Sequence, residues 1–381
     1  MTKKQKLLIG TLLGVLVSFE AVSFETTAKN AILVDYETGA YIYTKDHDKK
    51  IAPASMSKLM TLYVVFDKIK NGSLSLDDTF TVSENAWRKG GAASGSSTMF
   101  LRIGEKVNVE DLIKGIIVQS GNDACITIAE NIAGSEEDFA VLMNETAEKI
   151  GLKNSTFANS TGWPHPDHKM SVEDLARLSK LLISDFGEFY HLFSQREFVH
   201  NGIKQGNRNP LLYSMEAADG LKTGHTDEAG FCLTASAEKN GRRLIGVMGG
   251  MNSNKERSEE AEKLMNYGFR EFDNYTIMNK GEKFATANVW YGKNLTVDLV
   301  IPYDVKETIK RSLKNKYELN VKYSEPIKAP IKKGDKLGTV TLVSPNGDTK
   351  QYPLVANADV EQMGVFKKFV ANLKYLLLGN K

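Results

Sequence analysis

The order of hydrophobic patterns along the chain predicts an α+β fold. An antiparallel sheet is assembled from both ends of one domain, with helices packed on it and a helical insertion between, and a smaller all-β C-terminal domain and a terminal amphipathic helix follow. Three observations carry this expectation: strand-like alternation near the start that returns after Gly220, helical periodicity in the stretch between, and short β-rich runs broken by Gly, Pro and Asn beyond about Phe272. At 381 residues the chain exceeds the size at which a single core keeps growing, so two domains are expected.

The N-terminus has the pattern of an export signal. Lys3, Lys4 and Lys6 precede an apolar run at residues 7–17 that is too short to span a bilayer comfortably. Cleavage after Ala21-Val22-Ser23 makes residues 1–23 a signal peptide, with Thr26-Thr27-Ala28 as a competing site; Glu20 beside the apolar run leaves retention as an anchor open. Alternation through Ala31-Ile32-Leu33-Val34-Asp35-Tyr36, a turn at Glu37-Thr38-Gly39 and the run Ala40-Tyr41-Ile42-Tyr43 predict a hairpin. Met56, Leu59, Met60, Leu62, Tyr63, Val64 and Phe66 predict a buried helix that starts at about Ser55.

Further helices are expected over 109–118, 123–132, 136–150 and 171–183, the last with Ser171 as N-cap and Asp174 in a capping-box variant. Strands follow at 231–237 and 243–248, then a helix over 258–267, which closes a domain of residues 24–271. Runs at 284–289, 295–301, 316–323 and 336–343 define the β-rich domain, residues 272–360. Residues 361–381 are the amphipathic segment: Met363, Phe366, Phe369, Val370, Leu373, Leu376 and Leu377 share one helical face, with Lys367, Lys368 and Lys374 off it. That pattern suits a helix lying in a membrane surface; the alternative is a helix docked on the β domain.

Composition removes several classes of function. Lys plus Arg, 49, nearly balance Asp plus Glu, 47, so no nucleic acid is expected as a partner. Cys125 and Cys232 are the only cysteines, which excludes a disulfide-dense scaffold. Both suit buried small hydrophobic positions, and a bridge between them stays open.

Three short motifs carry chemistry. In Ser55-Met56-Ser57-Lys58 the lysine stands one helical turn after the serine on the same face, so its amine can take the hydroxyl proton. A neutral lysine is required, hence a partly buried site with a second cation. The helix N-terminus offers the Ser55 backbone N–H to a developing oxyanion. Ser120-Gly121-Asn122 can project a hydroxyl and a carboxamide from a turn into a cleft; taken alone it is an N-cap turn. In Lys222-Thr223-Gly224, followed by His225 and Thr226, Lys222 and Thr223 can hold a carboxylate, and Gly224 lets a peptide backbone approach.

In this order the three motifs resemble the signature of penicillin-binding proteins and serine β-lactamases. The chain is most similar to the low-molecular-mass D-alanyl-D-alanine carboxypeptidases, a likeness that extends to Pro53-Ala54-Ser55, Ser83-Glu84-Asn85-Ala86-Trp87, Gly95-Ser96-Ser97, the Gly151-Leu152-Lys153-Asn154 stretch and the β domain. The resemblance implies a β-lactamase-like catalytic domain with Ser55 as acylated nucleophile, Lys58 as general base, and Ser120 with Asn122 in proton relay and substrate positioning. It further implies Lys222 and Thr223 on the terminal carboxylate, the backbone N–H groups of Ser55 and His225 as oxyanion hole, and Arg257 as the arginine near the carboxylate, although residues 249–256 look one residue longer than usual. Its implied partners are peptidoglycan stem peptides, β-lactams as covalent inhibitors and a membrane surface at the outer, periplasmic or extracellular, face; no cofactor and no metal are implied.

Rival readings differ at named residues. A class A β-lactamase carries a glutamate in Glu-x-x-Leu-Asn, whereas Leu319-Asn320 has Lys316 in that place. A metallopeptidase would use His165, Asp167 and His168, but Pro164 and Pro166 make this a loop, expected to be solvated, with no third partner evident. A non-catalytic peptidoglycan-binding scaffold is opposed by the intact motifs.

Overall fold

A computed structural model describes residues 24–370. The strand Asn30–Asp35 is buried along its whole length because its side chains serve two cores: Ile32 and Val34 face the helical insertion, while Ala31 and Leu33 face the opposite layer. It pairs antiparallel with Tyr41–Lys45 on one side and with Arg242–Met251 on the other, where Ala31 lies opposite Met248. The sheet continues through Gly230–Lys239 to an edge strand, Ala218–Thr226, so its five strands come from both ends of the domain as the pattern predicted.

One face is covered by the helix Asn254–Glu271, capped by Ser253 and packed through Ala261, Leu264 and Met265. Phe24 joins this layer, stacked on Tyr267 at 4.6 Å. Against the other face runs Lys58–Lys70, buried from Lys58 to Phe66; a helix apolar on all sides belongs in the interior. Truncating one of its buried leucines, such as Leu62, would cost about 2–5 kcal/mol. Asn122–Ala133, Glu136–Lys149 and Val172–Asp185 complete this layer.

The caps explain where several helices begin. Asn108, Ser135 and Ser171 each accept an N–H from the residue three positions on. At Ser171 only half of the expected capping box forms. The Asp174 N–H donates to the serine, but its carboxylate instead accepts from Lys153 N, Asn154 N and Ser155 Oγ, which anchors the neighbouring loop. Cys125 and Cys232 are both free and buried, so the alternative of a bridge is not realised.

The C-terminal part has a six-stranded sheet in the order Glu318–Tyr323, Lys336–Val343, Thr349–Ala356, Thr296–Val300, Lys283–Trp290 and Ile327–Lys328, beside the pair Phe272–Met278 and Val305–Lys310. Four of these strands were absent from the sequence reading: Phe272–Met278, Val305–Lys310, Ile327–Lys328 and Thr349–Ala356. The two parts meet at Asp35, which is fully buried and accepts from Arg242 Nε at 2.8 Å and Asn274 Nδ2 at 3.0 Å. Arg242 also donates to the carbonyls of Gly268 and Phe272, so one guanidinium ties the sheet, the long helix and the first strand of the β domain together.

Helical residues begin again at 365 and are described to 370, with Val365, Phe366, Phe369 and Val370 exposed. The expected signal peptide, and Leu373, Lys374, Leu376 and Leu377 of the amphipathic face, lie outside the described residues. Among the described residues no helix is long and apolar enough to cross a membrane.

Candidate active site

Ser55 sits in a 3-10 turn, Ala54–Ser57, that leads directly into the helix starting at Lys58. With three residues per turn, positions i and i+3 eclipse, which sets Lys58 directly over Ser55. Lys58 Nζ donates to Ser55 Oγ at 2.8 Å and to the Thr161 carbonyl at 2.6 Å. The lysine has no exposed surface, and burial pushes its pKa down to about 8; Arg208 acts in the same direction, against Cys125, Glu136 and Asp123.

The Thr161 carbonyl is presented by a turn in which Asn159 Oδ1 accepts from the N–H groups of Thr161, Gly162 and Trp163. Gly162, at φ +78°, packs so closely on the nucleophile turn that a Cβ would lie 2.0 Å from the Ala54 carbonyl oxygen. The same loop contains His168, and here the structure corrects the expectation of a solvated segment. His165 and Asp167 are exposed, but His168 is buried with Nε2 2.6 Å from Ser57 Oγ and Nδ1 accepting the Ala158 N–H at 3.3 Å. Burial, then the neighbouring cations, lowers its pKa to about 4. The neutral ring therefore carries its proton on Nε2 and donates it to Ser57. His168 clamps the serine turn to the loop that holds Lys58.

Ser120 follows a π-helical turn, Gly115–Gln119, and adopts a left-handed conformation at φ +64°, one that costs a non-glycine residue about 1–3 kcal/mol. Ser120 Oγ and Asn122 Oδ1 are both buried and have no partner among the described residues. Unpaired buried acceptors of this kind suit a polar ligand. Asp123 fixes the facing segment, accepting from Met99 N, Leu101 N and Thr98 Oγ1. Cys125, one turn further along this helix, lies within electrostatic reach of both Lys58 and Lys222.

Lys222 is almost fully buried on the edge strand; burial, then Lys58 and Arg208, hold its pKa well below the ordinary value. Gly224 has a cause that the sequence reading did not give: a Cβ there would meet the Pro53 carbonyl at 2.9 Å and Ala54 Cβ at 3.2 Å, so the close approach is to the nucleophile turn itself. The His225 side chain is exposed and packs on Phe231 at 4.0 Å. Arg257, in the first turn of Asn254–Glu271, is buried behind Phe231; its Nη2 meets Asn254 Oδ1 at 2.5 Å and its Nε has no partner. Its charge also acts on Lys222.

Two contributors escaped the sequence reading. One is the Thr161 carbonyl, a backbone atom with no residue signature. The other is Arg208, which donates to Ser97 Oγ at 2.5 Å and lowers the pKa of both lysines. Although Arg208 is exposed by area, enough protein crowds its guanidinium to lower its own pKa.

The chain also matches known proteins in sequence and fold. Residues 17–253 match the family model for D-alanyl-D-alanine carboxypeptidase, and residues 272–362 that for the C-terminal domain of penicillin-binding protein 5. The chain is 41% identical over 342 residues to D-alanyl-D-alanine carboxypeptidase DacC of Escherichia coli, covering 89% of this chain and 86% of that protein. It is 34% identical over 343 residues to DacF of Bacillus subtilis, covering 88% and 87%. Penicillin-binding protein 5 of Haemophilus influenzae superposes with a TM-score of 0.78 at 34% identity, over 89% of this chain and 99% of that one. Penicillin-binding protein D2 of Listeria monocytogenes, solved in its ampicillin-bound form, superposes with a TM-score of 0.57 at 31% identity, over 65% of this chain and 100% of that one. The agreement spans both parts of the molecule, and the chain belongs to the D-alanyl-D-alanine carboxypeptidases, serine-type hydrolases of the penicillin-binding class.

Proposed function

We propose that Ser55 is the nucleophile that removes the terminal D-alanine from peptidoglycan pentapeptide stems. Lys58 takes the hydroxyl proton as Ser55 Oγ bonds to the carbonyl carbon between the two D-alanines; the C–N bond then breaks, and the proton passes to the departing amine. Ser120 relays that proton and Asn122 orients the peptide, while Lys222 and Thr223 hold the terminal carboxylate with Arg257 behind them. The N–H groups of Ser55 and His225 stabilise the oxyanion. Water then hydrolyses the acyl-enzyme. A β-lactam imitates the dipeptide end and acylates the same serine.

The observation that carries this reading is the buried amine of Lys58, 2.8 Å from Ser55 Oγ and lowered to a pKa of about 8. The buried, unpartnered Ser120 Oγ and Asn122 Oδ1 support the placement of substrate. Residues 24–271 are read as the catalytic unit and 272–360 as a β module. Residues 1–23 are read as a cleaved export signal, and 361–381 as an amphipathic helix that holds the enzyme on the outer face of the cytoplasmic membrane, which the exposed Val365, Phe366 and Phe369 support.

D-alanine release from a peptide ending in D-Ala-D-Ala, measured beside penicillin labelling, tests the assignment. Wild type is expected to do both and Ser55→Ala neither, with a loss of about 10⁴-fold or more in release. Equal labelling of the two proteins overturns the nucleophile; labelling without release overturns the substrate.

A further inference from the structure

We propose that the turn at residues 290–295 is a second membrane-contacting element, which lies on an anionic lipid surface beside the helix that begins at residue 365. This rests on the interfacial reading of that helix. The turn joins the strands Lys283–Trp290 and Thr296–Val300, and a turn of this kind needs no large apolar side chain. Yet Leu295 is 70% exposed and Trp290 40% exposed. Leucine gains from leaving water, and an indole combines an apolar body with a polar N–H, the pairing that concentrates tryptophan at bilayer interfaces.

The turn is fixed against the base of the helix rather than merely near it. Gly292 bridges Gln362, Lys293 N donates to the Glu361 carbonyl at 2.7 Å, and Met363 N donates to the Tyr291 carbonyl at 2.8 Å. Tyr291 stacks on Trp290 at 4.9 Å, and Lys368 Nζ stands 5.9 Å from the Tyr291 ring centroid. Leu295 and Trp290 therefore belong to the same corner of the molecule as the exposed Val365, Phe366 and Phe369.

Charge selects the occupant. Trp290 pairs in register with Lys328, and Ile331 bridges Val360, which brings Lys328 and Lys333 to this corner along with Lys367. The carboxylates of this corner are already engaged, Glu361 by Lys293 and Asp359 by Lys332 with Lys333 beside it, which leaves Lys328 and Lys367 without an ion pair among the described residues. Apolar and aromatic tips set among lysines, continuous with an amphipathic helix, fit a bilayer of anionic lipid. A helix alone leaves the enzyme free to rotate about its axis; a turn as second contact fixes a plane and so the direction in which the catalytic cleft faces.

The experiment uses residues 24–381, in which Trp87→Phe and Trp163→Phe leave Trp290 as the sole tryptophan, with vesicles of phosphatidylglycerol and phosphatidylethanolamine. Trp290 emission is expected to shift to the blue on vesicle addition and to be quenched by brominated acyl chains. Leu295→Glu is expected to weaken vesicle binding about tenfold with D-alanine release from a soluble peptide unchanged. If the protein sediments with vesicles while Trp290 stays as open to iodide as in buffer and Leu295→Glu binds like wild type, the turn is not a contact and the helix reading stands. If wild type does not sediment at all, the helix reading fails and the proposal with it. A blue shift without vesicles that tracks protein concentration would assign the corner to a second copy of the chain and overturn the lipid.

Discussion

In residues 24–271 the buried set includes Lys58, Lys222, Arg257, Asp123 and Asn122, and Ser120 Oγ, Asn122 Oδ1 and Arg257 Nε have no partner. In residues 272–370 no polar or charged side chain among the described residues is buried, and the core is made of residues such as Ala287, Val297, Leu299, Val340 and Leu354. The β module follows the ordinary rules of burial. The catalytic part departs from them at the candidate site and also away from it, at Thr127 Oγ1, Gln205 Oε1 and Arg242 Nη2, and its large apolar core offsets the cost. Strain divides less sharply: Ala54 at φ +48° and Ser120 at φ +64° belong to the site, but Tyr291 in the β module also has a positive φ.

The sharpest break of this contrast is Lys58→Met, expected to slow penicillin acylation about 10³-fold or more, measured by stopped-flow or labelling kinetics. The same change is expected to stabilise the fold by about 1–4 kcal/mol in denaturant titration at neutral pH, because it removes a buried ammonium. The sign follows from linkage. Lys58 titrates at about 8 when folded and near 10.4 when unfolded, so between those values the unfolded chain holds more protons and the wild type gains stability as pH rises. The advantage of Lys58→Met should therefore shrink from pH 8 to about pH 10.5. If Lys58 is the base, wild-type acylation is expected to show an acid limb that falls about tenfold per pH unit below about pH 8, measured as a pH–rate profile.

A comparison of glycines probes packing instead of charge. Gly162→Ala must accommodate a contact of 2.0 Å with backbone at φ +78°, and is expected to cost about 2–4 kcal/mol and to slow acylation, since Thr161 holds Lys58. Gly347→Ala in the β module has φ +88° but nothing within 4 Å, and is expected to cost only about 1–2 kcal/mol with acylation unchanged. Smallest of all, Lys350→Ala removes the exposed partner of the largely buried Glu307, which keeps its bond from the Tyr352 hydroxyl, and should cost no more than about 1 kcal/mol. A large effect at Lys350 would show that the β module also depends on charge.

What could be read in the sequence follows the range of each interaction. Ser55 and Lys58 were legible because their contact is local, three residues apart in one turn. Lys222, Thr223 and Gly224 were legible as a motif, although the packing reason for Gly224 lies 170 residues away at Ala54. Arg208 was silent, because its partner Ser97 is 111 residues distant and nothing in Asn207-Arg208-Asn209 marks it. In the fold, Thr349–Ala356 was hidden by Pro353, which a strand tolerates here because its second neighbour, Thr296–Val300, pairs only at Val355 and Ala356. Phe272–Met278 was hidden because it leaves the long helix with no intervening turn.

The pairing of Asn30 with Gly249 closes a loop of more than 200 residues, and the strand that carries Lys222 joins the sheet only through the two strands that follow it. Contacts so distant in sequence are slow to form and bring no return until the loop has closed. A growing chain that stops before Arg242 can pair Asn30–Asp35 with Tyr41–Lys45 and Ala218–Thr226 with Gly230–Lys239, but it lacks the strand that joins these two pairs, so the sheet behind Ser55 and Lys58 is still in two pieces. Reactivity toward penicillin is thus a report on synthesis and folding together: a single covalent label, read over time, marks the moment at which the first and last segments of the domain have met.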